Sequence, residues 1–187
     1  EQGNLFDCIM KIVDIKKPPI LFLENVKNLK SHDKGNTWKY IKKSISDRGY
    51  EIYSQVIDAS NWVPQHRERI FIICFDKSTF ANNRKIQFCF PDIPTKRKYN
   101  LDYVLEKNPD KKYMLSDKLW KYLQDYAAKH KAKGNGFGYG LADKNGITRT
   151  MSARYHKDGA EILIKQDGWK NPRRLTPNEA KYLMGFD

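Results

Sequence analysis

Pro18-Pro19-Ile20-Leu21-Phe22-Leu23-Glu24-Asn25-Val26-Lys27-Asn28-Leu29 is the stretch from which the fold is read. Two prolines stop whatever precedes them, four apolar residues follow without interruption, and a carboxylate and a carboxamide end the run. A short unbroken apolar run bounded by breakers predicts a strand over 19–24, covered on both faces as in a mostly parallel sheet. In open α/β sheets ligands bind outside the carboxyl ends of strands, so Glu24 stands where chemistry is usually done. The same two polar residues also read as no more than the end of a strand and the start of a loop.

Upstream, Leu5, Phe6, Ile9, Ile12 and Val13 recur at helical spacing and predict an amphipathic helix over 3–16, with Cys8 as packing beside the stripe. Downstream, Trp38, Ile41 and Ile45 mark a helix over 36–48, ended by Arg48-Gly49 in the order a helix terminus favours. Residues 51–57 alternate as a half-exposed strand, and Arg69 to Phe75 is a second continuous apolar run. Helix, strand, helix, strand, strand makes an α/β fold, the second half of a doubly wound Rossmann-like sheet over residues 1–76. Composition turns basic and polar after Asp76, giving a connecting segment over 77–112. A small, irregular, mixed α+β lobe follows over 113–172, and residues 173–187 start a return helix.

Within the lobe, Ser116 predicts the cap of a helix to about Lys129, with Leu119, Trp120, Leu123 and Ala127 on its inner face. Two strands, roughly 147–154 and 160–165, are expected to form a hairpin through Asp158-Gly159. Thr176-Pro177-Asn178-Glu179 carries a Thr cap, Pro at the first helical position and Glu at the third, the pattern of a capping box.

Lys and Arg number 35 against 22 Asp and Glu, for a formal charge of +13 over 187 residues. That excess points to a polyanionic partner, nucleic acid first, although an AT-rich genome, which loads Lys and Asn everywhere, would produce the same balance. Cys8, Cys74 and Cys89 lack CxxC spacing, which argues for a reducing compartment and against a disulfide framework or a zinc site. No apolar run reaches the ~20 residues of a membrane span. A chain that begins at Glu1 without Met is expected to be part of a longer protein.

Gln65, Arg67 and Arg69 alternate, so in extended conformation they point to one side as a donor-rich surface suited to phosphate or a base-edge oxygen. Surface pairing with Glu68 and its neighbours is the plainer alternative. Gly134-Asn135-Gly136-Phe137-Gly138-Tyr139-Gly140 follows a helix and carries no Lys-Ser or Lys-Thr, so it is not a phosphate loop. With Arg149, Arg154, Tyr155 and His156 after it, it reads as a nucleic-acid contact: glycines for close approach, arginines for base edges, lysines for phosphates.

Four segments together resemble the DNA cytosine-5 methyltransferase family, and its Dcm-type bacterial subgroup in particular. They are Glu24-Asn25-Val26 after an apolar strand, Pro64-Gln65-His66-Arg67-Glu68-Arg69 before another, Arg173-Arg174-Leu175-Thr176-Pro177 with Glu179 and Met184-Gly185-Phe186, and a target-recognition-like segment over 148–164. The family's Phe-x-Gly-x-Gly cofactor loop, its Pro-Cys nucleophile and its last Gly-Asn-Ser block have no counterpart in these residues. The resemblance therefore implies the C-terminal part of such an enzyme, inactive alone.

It also implies a mechanism. A thiolate adds to C6 of a flipped cytosine, and C5 then takes a methyl group from S-adenosylmethionine. Glu24 matches the carboxyl that hydrogen-bonds N3 in its protonated form, and Arg69 the guanidinium near O2, with Arg67 beside it as a third catalytic candidate. Asn25 and Gln65 match supporting positions. Gly136, Phe137, Tyr139, Arg149, Thr150, Ser152, Arg154, Tyr155 and His156 match the DNA-contacting lobe. Expected partners are double-stranded DNA and no membrane, for a monomeric enzyme of the bacterial cytoplasm in a restriction-modification or Dcm-like setting. A cytosine-5 methyltransferase acting on tRNA and a non-catalytic DNA-binding half stay open as alternatives.

Overall fold

Ile20–Val26 forms β1, and its partner sets the first surprise. β1 pairs antiparallel with β3 (Glu68–Asp76), in a register that places Leu21 opposite Cys74, Glu24 opposite Phe71 and Val26 opposite Arg69. β2 (Tyr50–Asp58) completes a three-stranded sheet in the order β1-β3-β2. The expected parallel neighbour of β1 is not found among the described residues. The crossover through α2 (Asn36–Ser46) separates β1 from β2, and β3 fills the slot between them.

The computed structural model describes residues 4–80, 86–136 and 138–186. They divide into two compact units, Glu1–Ile57 with Glu68–Ile93, and Asp58–Arg67 with Pro94–Asp187.

In the first unit, α1 (Asn4–Lys16) and α2 pack on one sheet face, where Met10, Val13, Leu21, Ile41, Ile45, Tyr50, Ile70, Ile72 and Cys74 form the core. Two parallel hydrogen bonds from Arg48 to Asp14, at 2.7 and 2.9 Å, tie the end of α2 to α1. Gly49 ends that helix with φ +87°, a conformation glycine adopts without steric cost. α3 (Lys77–Phe80) follows β3.

The expectation that β1 is covered on both faces is corrected. Leu21 is buried and Leu23 partly so, but Ile20 and Phe22 are 48% and 67% exposed on the opposite face. A strand's side chains alternate between faces, and the apolar run concealed that alternation. Helix α1 behaves similarly: Phe6, Ile9, Met10 and Val13 face the core, while Leu5, Ile12 and Cys8 are exposed.

Burial pushes the Cys74 thiol up to about 12, so it stays protonated and out of reach. Titration of the native chain with a disulfide reagent at pH 8 should show Cys8 and Cys89 reacting promptly and Cys74 only after denaturation. Three fast thiols would contradict the packing of β3.

In the second unit, α4 (Asp117–Ala132) begins where Ser116 accepts a hydrogen bond from the Leu119 N–H, and it turns Leu119, Trp120, Leu123 and Ala127 partly inward. The expected 147–165 hairpin is absent and its pieces pair elsewhere. Thr148 bridges Gln65, Leu141 bridges Leu163, and Ile164 bridges Arg173. The segment between them forms a single helical turn, α5 (Tyr155–Asp158). Tyr155 is buried in this turn, its hydroxyl donating to the Ile162 carbonyl at 2.6 Å and accepting from the Leu175 N–H at 2.8 Å. Gly140 is required where it stands, since a Cβ there would lie 2.3 Å from the Glu161 carbonyl oxygen.

α6 (Pro177–Leu183) starts on the capping box read from the sequence: Thr176 accepts from the Glu179 N–H and Glu179 from the Thr176 N–H. Replacing Thr176 by alanine should cost about 1 kcal/mol, the usual worth of such a cap. Urea denaturation reads this, and an unchanged midpoint would show that Pro177 alone starts the helix.

Candidate functional site

Glu24 and Arg69 are brought together by register alone. Residues directly opposite in an antiparallel pair share a face, so Glu24, two positions before Val26, lies diagonal to Arg69 on the face away from the core. The Arg69 Nε meets Glu24 Oε1 at 2.9 Å, and another guanidinium nitrogen of Arg69 donates to the Glu68 carbonyl at 2.8 Å. Arg69 is largely buried at 17% side-chain exposure and Glu24 half-open at 45%, so the carboxylate is the member that an incoming group reaches first. Glu68 is itself paired with Lys27. Asn25 accepts from the Val26 N–H through its side-chain oxygen, which fixes the turn out of β1.

The arrangement is a carboxylate and a guanidinium side by side at the end of a strand. It can offer a planar heterocycle one hydrogen-bonding partner for a ring nitrogen and one cation for a neighbouring carbonyl oxygen.

Gln65 does not share the expected one-sided surface with Arg67 and Arg69. β3 begins only at Glu68, and Gln65 and Arg67 belong to the second unit. Gln65 is fully buried: its amide donates to the Leu183 carbonyl at 3.1 Å and its oxygen accepts from the Met151 N–H at 2.9 Å. Gln65 is thus a brace inside the second unit, holding the 151 and 183 segments. The chain beside it is stitched to 148–150 by hydrogen bonds from the His66 N–H to the Thr148 carbonyl, from the Thr148 N–H to Pro64, and from the Thr150 hydroxyl to the His66 carbonyl.

Asp58, which sequence reading passed over, organises this region. One carboxylate oxygen accepts from the Ser60 and Arg67 N–H groups, and the other meets the His66 ring nitrogen at 2.6 Å. Burial works to raise its pKa, but the hydrogen bonds from Arg67, Ser60 and His66 outweigh burial and hold the carboxyl below its ordinary value. The signal was available, because Asp58-Ala59-Ser60-Asn61 has the makings of an aspartate-led turn.

Of the lobe residues singled out from sequence, Gly136, Arg149, Ser152, Arg154 and His156 are exposed, and Tyr139 and Thr150 are half-buried. Arg154 is paired with Asp158 at 2.8 Å, and the Tyr139 ring packs edge-on against Trp120. Phe137 lies outside the described residues. Tyr155 is corrected from a surface contact to a core residue, because it is buried and its hydroxyl is engaged by two internal hydrogen bonds. Among the described residues no cluster of His, Cys, Asp and Glu is suited to hold a metal, and no helix is long and apolar enough to cross a membrane.

The family model described as "C-5 cytosine-specific DNA methylase" matches residues 1–187. The chain is 42% identical to the DNA-cytosine methyltransferase of Escherichia coli K12, covering 100% of this chain and 45% of that protein. It is 47% identical to the type II methyltransferase M.SsoII of Shigella sonnei, covering 99% of this chain and 48% of that one. Among solved structures, the S. pombe Dnmt2 methyltransferase superposes with a TM-score of 0.69 at 14% identity, over 97% of this chain and 59% of that one. At that identity the likeness shows the fold alone, a Rossmann-like α/β methyltransferase fold. The chain spans about half the length of the curated relatives it matches.

Proposed function

The chain belongs to the family of C-5 cytosine-specific DNA methylases, and from that membership we propose that it is the C-terminal part of a DNA (cytosine-5-)-methyltransferase acting on double-stranded DNA. The observation that carries the reading is the Glu24–Arg69 pair at the end of β1. Cytosine C5 is a poor nucleophile until a nucleophile adds at C6, and that addition pushes negative charge onto N3 and O2. Glu24 serves N3 by hydrogen bond and proton, and Arg69 serves O2 as a fixed cation. The face they occupy is open to an incoming base, and the contact each makes with the other in its absence keeps both oriented.

Arg67 is proposed as a third catalytic residue, and Asn25 to set the turn that carries Glu24. Gly136, Phe137, Tyr139, Arg149, Thr150, Ser152, Arg154 and His156 are proposed to face the DNA. The target base must leave the helix to reach Glu24, so the protein pays for unstacking with contacts to the remaining duplex. Type II enzymes among the relatives favour a restriction-modification or Dcm-like setting in the bacterial cytoplasm, with DNA over RNA as substrate; the enzyme is proposed to be a monomer.

S-adenosylmethionine is the methyl donor this reading requires. A cleft of about 490 Å³ in the first unit, lined by Asp14, Arg48, Tyr50 and Asp76, lies at the end of the sheet opposite Glu24. Its lining does not fit a donor that must reach a base beside Glu24, so no residue of this chain is assigned to the cofactor and no step is routed through it.

The test is transfer of labelled methyl groups by the full-length protein carrying this chain, to duplex DNA and to tRNA in parallel. Label at C5 of cytosine in duplex DNA is the expected result. Label confined to tRNA, or methyl groups on a base nitrogen, would overturn the reading.

A further inference from the structure

Outside the residues assigned so far, the second unit carries a groove that has no role in them. It measures about 500 Å³ and is lined by Trp62 on one side and by Lys96, Arg97, Lys98 and Tyr99 on the other. Trp62 is 44% exposed, and among the described residues its indole has neither a ring partner nor a hydrogen bond. Lys96, Arg97 and Lys98 are exposed and none has a carboxylate partner among the described residues. Lys98 lies over the Tyr99 ring at 4.9 Å, and Tyr99 is stacked on the exposed Tyr103 with centroids 4.2 Å apart.

Each feature narrows the occupant. Three consecutive uncompensated cations call for a polyanion that can follow them, as a phosphodiester backbone does. An unpartnered indole beside them calls for a flat apolar face. Paired bases in a duplex keep their faces stacked against each other, so only an unpaired base can offer one. Cationic track and aromatic platform together are the recurring composition of single-strand sites. The volume is within the range of pockets that hold small organic ligands, enough for about one nucleotide.

We infer that this groove binds a single DNA strand leaving the duplex, with its phosphates on Lys96, Arg97 and Lys98 and one unpaired base stacked on Trp62. The inference rests on the reading that the protein acts on DNA. It adds a second contact surface, which favours substrates with a gapped, nicked or displaced strand beside the target.

The experiment uses the full-length protein and measures equilibrium binding to a blunt duplex and to the same duplex with a ten-nucleotide single-stranded extension. The wild type should bind the extended duplex about tenfold tighter, the usual worth of one stacked base. Trp62→Ala should abolish that ratio and Trp62→Phe should keep most of it. Lys96→Ala with Lys98→Ala should lower the salt slope on the extended duplex by about 1.4, roughly 0.7 for each phosphate contact on a single strand. A thermal midpoint for each variant reads folding, and the phenylalanine and lysine variants decide the matter if the alanine variant does not fold.

Equal affinity of the wild type for both duplexes overturns the inference, as does an extension preference that survives Trp62→Ala. A ribonucleotide extension preferred over DNA through the same Trp62 dependence would also overturn it. If the groove fails while blunt duplex is still methylated, only the groove is lost. If duplex DNA is neither bound nor methylated, the DNA reading itself has fallen.

Discussion

Replacing Arg173 by methionine should destabilise the second unit by about 3–5 kcal/mol, the cost of leaving a buried charge without its partner. Both members of the Arg173–Glu179 pair have fully buried side chains. They meet through two parallel bonds of 2.7 Å, from separate guanidinium nitrogens to separate carboxylate oxygens. The third guanidinium nitrogen donates to Gln166 at 2.9 Å. Glu179 in turn accepts from the Glu106 and Thr176 N–H groups, each at 2.8 Å. One ion pair therefore joins four stretches of chain: the 101–106 segment, the loop around Gln166, the strand-like run at 173 and the start of α6.

Methionine would fill much of the volume but would leave the buried Glu179 carboxyl without its cation, with only two backbone donors to hold it. Two neighbours soften the loss, which places the expectation short of an unpaired charge in a fully apolar core. Urea denaturation, followed through Trp120 and Trp169 in this unit, measures the change. A loss below about 1 kcal/mol would show that water enters the site, and that the pair contributes no more than a surface bridge. Glu179→Gln is the informative companion, since it keeps the shape and one of the two backbone bonds but removes the charge and sets an amide NH2 against the other backbone donor.

That pair also shows where sequence reading stops. Signals held within a few residues were legible, because their chemistry is local: the Ser116 cap of α4, the Thr176–Glu179 box of α6, and Arg48-Gly49 after α2 all form as their residue types dictate. Arg173 sits beside Arg174 in a run that looks solvated, and nothing local to it says that Glu179 and Gln166 will enclose it. The same limit explains Gln65. Alternation along 65–69 is a sound rule inside a strand, but the strand starts at Glu68, and the partners of Gln65 lie 86 and 118 residues further on.

Direction of pairing was hidden for a related reason. An apolar run such as 20–23 specifies a strand but not which neighbour it takes, and the crossover through α2 left room for β3. At the candidate site, Glu24 and Arg69 were each legible as single residues at strand ends. Their contact was not, because it depends on a register set by the whole length of β1 and β3.

Glu24→Gln in the full-length enzyme should lower methyl transfer to duplex DNA by about 10²–10⁴-fold, the range for a positioned acid-base group. Glutamine keeps the size and a hydrogen-bonding end but can neither give nor take the proton at N3, so base binding should suffer less than kcat. Arg69→Lys should cost about 10²–10³-fold, as loss of a preorganised charge stabiliser does. Lysine keeps the cation but cannot hold the Glu68 carbonyl and Glu24 with separate nitrogens, as Arg69 does at 2.8 and 2.9 Å. The two groups touch, so their effects should not add. Once Glu24 is glutamine, Arg69 has lost the partner that orients it, and the double variant should fall well short of the product of the singles. Additive losses would mean that each acts on the base separately, and that the pair is a resting contact only. A Glu24→Gln enzyme within threefold of wild type would remove Glu24 from the chemistry altogether.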